Sequence, residues 1–463
     1  MKSILPDAQI PFSPEDRSSP SPPGALTDKA ALDKVQAESL PEHAPTWREI
    51  LKPLKVTVLG AGPIGLEAAL YSATLGHDVT ILEQGHIAEN LSRWGHVTLF
   101  SPWRMNHTPL AKQALEGMGW RRWPELESFQ TGLDYLAAYL IPLSSLPVLR
   151  GRIFERHRVV ALGKEGLLKG EKIGDSERLS FPFRILVATP AGERVLRADR
   201  VLDATGTYGR PNCLGCGGIP APGEREASDH ISYALDDPLG KHRETYAGRR
   251  ILLVGCGYSA ATSLLALQQL VKEAPQTSVV WATRSRRAAP YAEIEADPLA
   301  GRRALIQEAN RVAGREEPGI RRLAGREVGS IARSMGGGLE VRLLSEEGED
   351  LVTVDRILAN VGYQPDRGLY SELQVHECYA SSGPMKLAAA LLSAGGSDCL
   401  ALGGQGAETL MNPEPGFFIV GSKSYGRNSS FLLSTGYEQI RDVFRLLERQ
   451  PDLDLYANSV PIT

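Results

Sequence analysis

The sequence predicts an α/β protein made of two doubly wound units with parallel sheets, one inserted into the other. Three observations predict it. A strand, a glycine-rich turn, a helix and a second strand follow one another between Val56 and Glu83. The same order recurs between Ile251 and Trp281. Two further apolar strands, Arg200–Asp203 and the run from Val354, each exit into a glycine turn, as the return strands of such units do.

Residues 1–53 carry nine of the 31 prolines and no sustained hydrophobic period, so they are expected to form a disordered Pro/Ser-rich tail. Val56-Thr-Val-Leu59 is a short buried strand, Leu66–Leu75 is rich in helix formers, and Val79–Leu82 is the second strand. Thr131–Leu146 reads as a helix, and Arg152–Leu162 and Phe183–Val187 read as strands. The second unit has its strand at Ile251–Val254, a helix through Leu270 and a strand at Val279–Trp281. Phe417–Val420 is a strand that enters Gly421, and a last helix spans about Ser430–Leu447. The first domain is therefore expected at 54–207 and again at 361–450, around an insert at 208–360, with a C-terminal tail at 451–463.

Each turn has the chemistry of a dinucleotide site. Gly60 permits the tight turn, Gly62 lets the backbone approach a pyrophosphate, and Gly65 lets the helix pack on the sheet, with Pro63 and Ile64 opening the helix toward the phosphates. Glu83 ends the second strand 23 residues after Gly60, where a carboxylate accepts ribose hydroxyls and repels a 2′-phosphate, which suits FAD or NAD. In the second turn Gly255 and Gly257 keep these roles, Ala260 or Ala261 replaces the third glycine, and Ser259 stands where it caps the helix or touches pyrophosphate. Here the strand runs into Arg284, Arg286 and Arg287 instead of an acid. Guanidinium forks match a 2′-phosphate, which points to NADPH; the alternative is a solvated basic surface run.

Composition excludes other classes. Of 463 residues, 42% are hydrophobic and 23% charged, the balance of an ordinary globular chain. The net charge of −4 and the lack of a long basic run argue against nucleic acid or an anionic membrane as partner. No stretch of ~18 apolar residues exists, and the opening Met-Lys-Ser-Ile-Leu-Pro develops no signal-peptide core, so no membrane span or secretory signal is expected. Five cysteines, Cys213, Cys216, Cys256, Cys378 and Cys399, make no disulfide framework and point to the reducing cytoplasm.

With these motifs in place, the chain resembles, from about Val56 to Leu447, the flavoproteins that carry FAD in one Rossmann-like domain and NADPH in an inserted second one. Within that group it is similar to the flavin-dependent monooxygenases, which include flavin-containing monooxygenases, Baeyer–Villiger enzymes and N-hydroxylases. The resemblance is carried by Gly60–Gly65, Asp203-Ala-Thr-Gly206, Gly255–Ala260 with Arg284, and Phe100-Ser-Pro-Trp-Arg-Met-Asn106. It implies hydride transfer from NADPH to FAD, then oxygenation by O2, through a flavin hydroperoxide, of a nitrogen or sulfur of a small molecule. It further implies that Asn106 lies beside the flavin as a catalytic amide, the alternative being a cap for the helix near Pro109. Gly206, Gly421 and Ser430 would border the flavin, with the last helix aimed at its pyrimidine end and Lys423, Tyr425 and Arg427 as contacts or plain loop residues. Trp94, Trp103, Trp120 and Trp123 would line a flavin-facing pocket or form a local core. A homodimer is common in the group.

Two features depart from the pattern. The motif between the two units survives only as Gly223, His230 and Tyr233 with stretched spacing. Cys213-Leu-Gly-Cys216 is a C-x-x-C, which keeps open an NADPH-dependent FAD reductase acting on a disulfide, quinone or protein acceptor, although the pair lies where disulfide reductases do not carry theirs.

Overall fold

The computed structural model describes residues 53–295, 297–393 and 405–457. The expected tail at 1–53 falls outside them except for Pro53, as do Cys399 and residues 458–463.

The chain opens with β1 (Lys55–Leu59), α1 (Pro63–Thr74) and β2 (Asp78–Leu82). Next come α2 (Pro109–Gly117), the short β3 (Ile153–Phe154), a meander β4 (Arg158–Lys164), β5 (Phe183–Thr189) and β6 (Gly192–Ala198), and the return strand β7 (Arg200–Asp203). The insert follows with β8 (Ile231–Ser232), β9 (Arg250–Val254), α3 (Tyr258–Glu273), β10 (Ser278–Thr283), α4 (Ala300–Ala313) and β11 (Ile320–Ala324). Its meander is β12 (Glu327–Arg333), β13 (Leu339–Ser345) and β14 (Gly348–Val354), and its return strand is β15 (Arg356–Ala359). The first domain then closes with β16 (Phe417–Ile419) and α5 (Leu433–Glu448).

The two units repeat one plan. The first sheet has the order β16-β7-β1-β2-β3 and the second β11-β10-β9-β15-β8, all parallel, and each unit carries a three-stranded antiparallel meander before its return strand. In both sheets the first and return strands are neighbours, β1 beside β7 and β9 beside β15. Their C-terminal ends therefore make the crevice where ligands of open α/β sheets bind. The two connections between the domains run side by side: the Asn212 N–H donates to the Gly362 carbonyl at 3.0 Å and the Gln364 N–H to the Arg210 carbonyl at 2.9 Å.

Three elements differ from the sequence reading. The expected strand at 152–162 is two strands in two sheets, because the chain turns at Arg156 with φ 55°. The helix at 131–146 spans 132–144 with a widened middle turn, opened by a Thr131–Asp134 capping box. The last helix starts at Leu433, later than Ser430.

The core of the first domain holds a buried acid that is faced by hydroxyls rather than by a cation. Glu67, on α1, is fully buried and accepts hydrogen bonds from the Thr108 hydroxyl at 2.8 Å and the Tyr139 hydroxyl at 3.3 Å. Burial pushes its carboxyl up to about 7, opposed in part by neighbouring hydroxyls, Thr108 foremost.

Candidate active site at the two glycine turns

β1 ends at Gly60, whose φ of 94° and close approach to Ala204 (an added Cβ would sit 2.9 Å from its carbonyl oxygen) admit only glycine. An added Cβ at Gly65 would sit 1.9 Å from the Gly60 oxygen, so this glycine is where helix and strand touch. At Gly62, by contrast, an added Cβ meets nothing within 4 Å. Gly62 caps α1 without a side-chain acceptor, which leaves the first N–H groups of the helix open to an anion. Glu83 is held at the end of β2 by the N–H groups of Ala61 and Gly85, each at 2.8 Å.

The insert repeats this geometry. Gly255 has φ 135°, and a Cβ there would lie 2.2 Å from the Asn360 oxygen; Gly257 is open, with nothing within 4 Å. Ala260, fully buried, takes the third glycine's place. Ser259 does not cap α3, which starts after Gly257 with no side-chain cap. Arg284, Arg286 and Arg287 follow β10 and are all exposed. Arg286 is drawn to the Glu346 carboxylate at 2.8 Å, leaving Arg284 and Arg287 as the outward pair.

One cavity of about 380 Å³ joins the two turns. Gly60, Gly62, Pro63, Ile64 and Glu83 line it from the first unit, and Tyr258, Ser259 and Thr262 from the second. Gly206, Gly421, Ser422, Ser429 and Ser430 line it as well, with Leu432 and Leu433 at the start of α5. Gly65, Gly255, Gly257, Arg284 and Arg286 are not among its lining residues.

Asn106 is placed differently from the expectation. It is fully buried and does not line the cavity; its amide is engaged with Ser101, accepting from the hydroxyl at 2.6 Å and donating to the carbonyl at 3.0 Å. Nor does it cap the helix near Pro109, since Thr108 does so by accepting from the Ala111 N–H at 3.0 Å. The cavity-lining residue of this pair is Ser101, and Asn106 positions it. The tryptophans divide: Trp94 lines the cavity, whereas Trp103 is buried in the core against His107, Tyr139 and Trp123.

Lys423, Tyr425 and Arg427 also lie off the cavity. Lys423 is fully buried, 2.6 Å from the Asp203 carboxylate and 3.0 Å from the Thr205 hydroxyl, and so ties the turn after β7 to the turn after β16. Tyr425 packs on Phe431, and Arg427 donates to Gln364 at 3.1 Å. Tyr233 lines the cavity, and its hydroxyl donates to Glu224. The C-x-x-C does not line it. Burial and then Glu224 push the Cys213 thiol up, and Cys216, which donates to Glu327 at 2.9 Å, is pushed up by that carboxylate.

Four of the lining residues that sequence reading missed carry polar or aromatic chemistry. Tyr208 and Tyr363 meet edge to face at 5.0 Å where the two connections cross. Arg302 lines the cavity while its guanidinium grips Asp297 at 2.7 and 2.8 Å. Asn360, at the end of β15, is 8% exposed, and its Oδ1 has no hydrogen-bond partner. The Trp94 ring N–H is likewise unpartnered. For Asn360 a signal existed, because it follows the return strand of the second unit as Ala204 follows that of the first.

A protein-family model described as pyridine nucleotide-disulphide oxidoreductase matches residues 18–93, the segment that contains the first turn. Among solved structures, a bacillithiol disulfide reductase from Bacillus cereus aligns with a TM-score of 0.59 at 17% identity, over 86% of this chain and 100% of that one. The fold is that of the two-dinucleotide-domain flavoproteins. An ornithine N-hydroxylase from Kutzneria sp. 744 aligns with a TM-score of 0.57 at 15% identity, over 87% of this chain and 100% of that one. A cadaverine monooxygenase of desferrioxamine biosynthesis from Erwinia amylovora aligns with a TM-score of 0.59 at 13% identity, over 89% and 97%. No curated protein matches the sequence. Among the described residues no helix is long and apolar enough to cross a membrane.

Proposed function

We propose that this chain is an NADPH- and FAD-dependent oxidoreductase, and that it is a monooxygenase acting on a nitrogen or sulfur of a small molecule. Both cofactors fit observations of the molecule. Gly62 and Gly257 are open where a pyrophosphate would approach, Glu83 faces the cavity at the ribose position, and Trp94 Nε1 and Asn360 Oδ1 are polar atoms without partners in residues that line it. FAD, when bound, supplies the electron relay between NADPH and O2; one oxygen atom then enters the substrate and the other leaves as water. The protein binds and orients: α1 and α3 present open N-termini to phosphate, the start of α5 faces the site, and the Lys423–Asp203 pair fixes two of the turns that border it.

The observation that favours oxygenase over disulfide reductase is the wall itself: aromatic rings line it and none of the described cysteines does. A disulfide reductase requires a thiol at the flavin, and here Cys213 and Cys216 lie off the cavity with thiols held protonated by neighbouring carboxylates and burial. An apolar wall also excludes water from reactive oxygen species. The second reading, reduction of a quinone or protein acceptor, shares every cofactor contact. The test is to reduce the purified protein anaerobically with NADPH, admit 18O-labelled O2 with a panel of amines and thioethers, and measure label in product against hydrogen peroxide. Label in product is expected; all electrons recovered as peroxide overturns the oxygenase reading, and flavin that NADPH fails to bleach overturns both readings. A soluble, cytoplasmic enzyme is part of this proposal, supported by the composition.

A further inference from the structure

The basic turn after β10 owes its shape to an arginine outside it. β11 lies beside β10 with Arg322 opposite Trp281, and the Arg322 guanidinium stands 5.3 Å over the Trp281 ring. From there it reaches along the turn. Nη2 donates to the carbonyls of Ser285 at 3.2 Å and Arg287 at 2.8 Å, and Nη1 to that of Ala288 at 2.9 Å. Nε and Nη2 both reach the Thr283 hydroxyl, at 3.4 and 3.3 Å, and that hydroxyl donates in turn to the Ser285 carbonyl at 3.0 Å.

Three carbonyls within four residues thus converge on one planar fork. Main-chain carbonyls so close together repel one another unless a donor set of matching geometry satisfies them, and a guanidinium provides five donors in a rigid plane where an ammonium provides three on a point. With the carbonyls turned toward Arg322, the side chains of Arg284, Arg286 and Arg287 are exposed. Arg286 is steadied separately: its stem lies where a Cβ on Gly325 would be, 2.8 Å away, and its head pairs with Glu346 at 2.8 Å. What the turn then offers outward is Arg284 and Arg287.

We propose that Arg322 is a positioning residue that shapes the 284–288 turn into a receptor for the 2′-phosphate of NADPH, and so sets the preference for NADPH over NADH without touching the phosphate. This rests on the reading of the second unit as an NADPH site. Arg322 Nε, Nη1 and Nη2 all donate within the turn, to main-chain carbonyls and the Thr283 hydroxyl, so its effect passes through the placement of Arg284 and Arg287 rather than through a contact of its own.

The test uses the full-length flavoprotein and two probes that differ only by the phosphate in question, adenosine 2′,5′-bisphosphate and 5′-AMP, with affinities measured by calorimetry. The wild type is expected to prefer the bisphosphate by roughly tenfold or more. Arg322→Met is expected to bring that ratio to about threefold or less while the 5′-AMP affinity stays within about twofold, and Arg322→Lys to fall between. In stopped-flow reduction, the NADPH concentration at half-maximal rate rises with the lost preference while the limiting rate holds. A variant that keeps the full preference overturns the inference and leaves the NADPH reading intact. Equal loss for both probes overturns it as well, since that is the mark of a merely structural residue. A wild type without preference overturns the NADPH reading and the inference with it. Should Arg322→Met not accumulate, Arg322→Lys decides alone, full preference counting against the inference.

Discussion

Replacing Glu67 by glutamine should make the protein more resistant to alkaline conditions, by an amount that its surroundings set. The carboxyl is fully buried, is faced by the hydroxyls of Thr108 and Tyr139 rather than by a cation, and is pushed from the ordinary 4.5 up to about 7. Its protonated form is the one the fold prefers. In the unfolded chain the same group ionises near 4.5, so the folded state keeps its full stability below that pH and loses it as the pH rises from 4.5 through about 7. The gap corresponds to roughly 3 kcal/mol at about 1.4 kcal/mol per pH unit. Glutamine removes the ionisation yet fits the site, because one hydroxyl still donates to its carbonyl while the other accepts from its amide. Thermal midpoints of wild type and Glu67→Gln at pH 5 and pH 8.5 check this. Whatever constant offset the substitution brings, the variant should gain roughly 3 kcal/mol relative to wild type between those pH values, about 3 °C for a chain of this size. Parallel pH curves for the two proteins would refute the reasoning.

Other outcomes follow from single contacts. Gly62→Ala puts a methyl group into open space that the pyrophosphate needs, so flavin content should fall by at least about tenfold while apoprotein stability changes by less than about 0.5 kcal/mol; Gly65→Ala, which meets the Gly60 oxygen, should instead destabilise the apoprotein itself by about 2 kcal/mol or more. Lys423→Met leaves Asp203 buried without its cation and should cost about 3–5 kcal/mol in thermal or urea unfolding, much of it restored when Asp203→Asn is added. The Cys213→Ser, Cys216→Ser double variant should keep the wild-type rate of NADPH-driven turnover, and a loss of about tenfold or more would revive the disulfide-reductase reading.

Much of the architecture is legible from local pattern. Gly60, Gly62 and Gly65 announce the first turn because each role, positive φ, open approach and close packing, acts within one strand–helix unit, and the spacing of a unit is written in consecutive residues. The second unit is legible for the same reason, even with Ala260 as its third small residue. The strand at 152–162 is less so: apolar content runs on through it, while the left-handed Arg156 that divides it between two sheets leaves no compositional mark. Asn106 shows a different limit, because an amide's chemistry can be read from the sequence but not the direction in which it points. The fold turned it toward Ser101.

The sequence by itself determined that two strand–glycine turn–helix–strand units are nested in this chain, and it located Gly60, Gly62 and Glu83, which line the cavity. Only the tertiary structure decided which side chains brace the turns around it. Lys423 finds Asp203 across 220 residues, and Arg322 finds Arg287 across 35, on a neighbouring strand. Such pairings depend on sheet order and on which carbonyls are left to be satisfied after burial. Neither quantity is carried by residue spacing, and both exist only once the strands have been laid side by side.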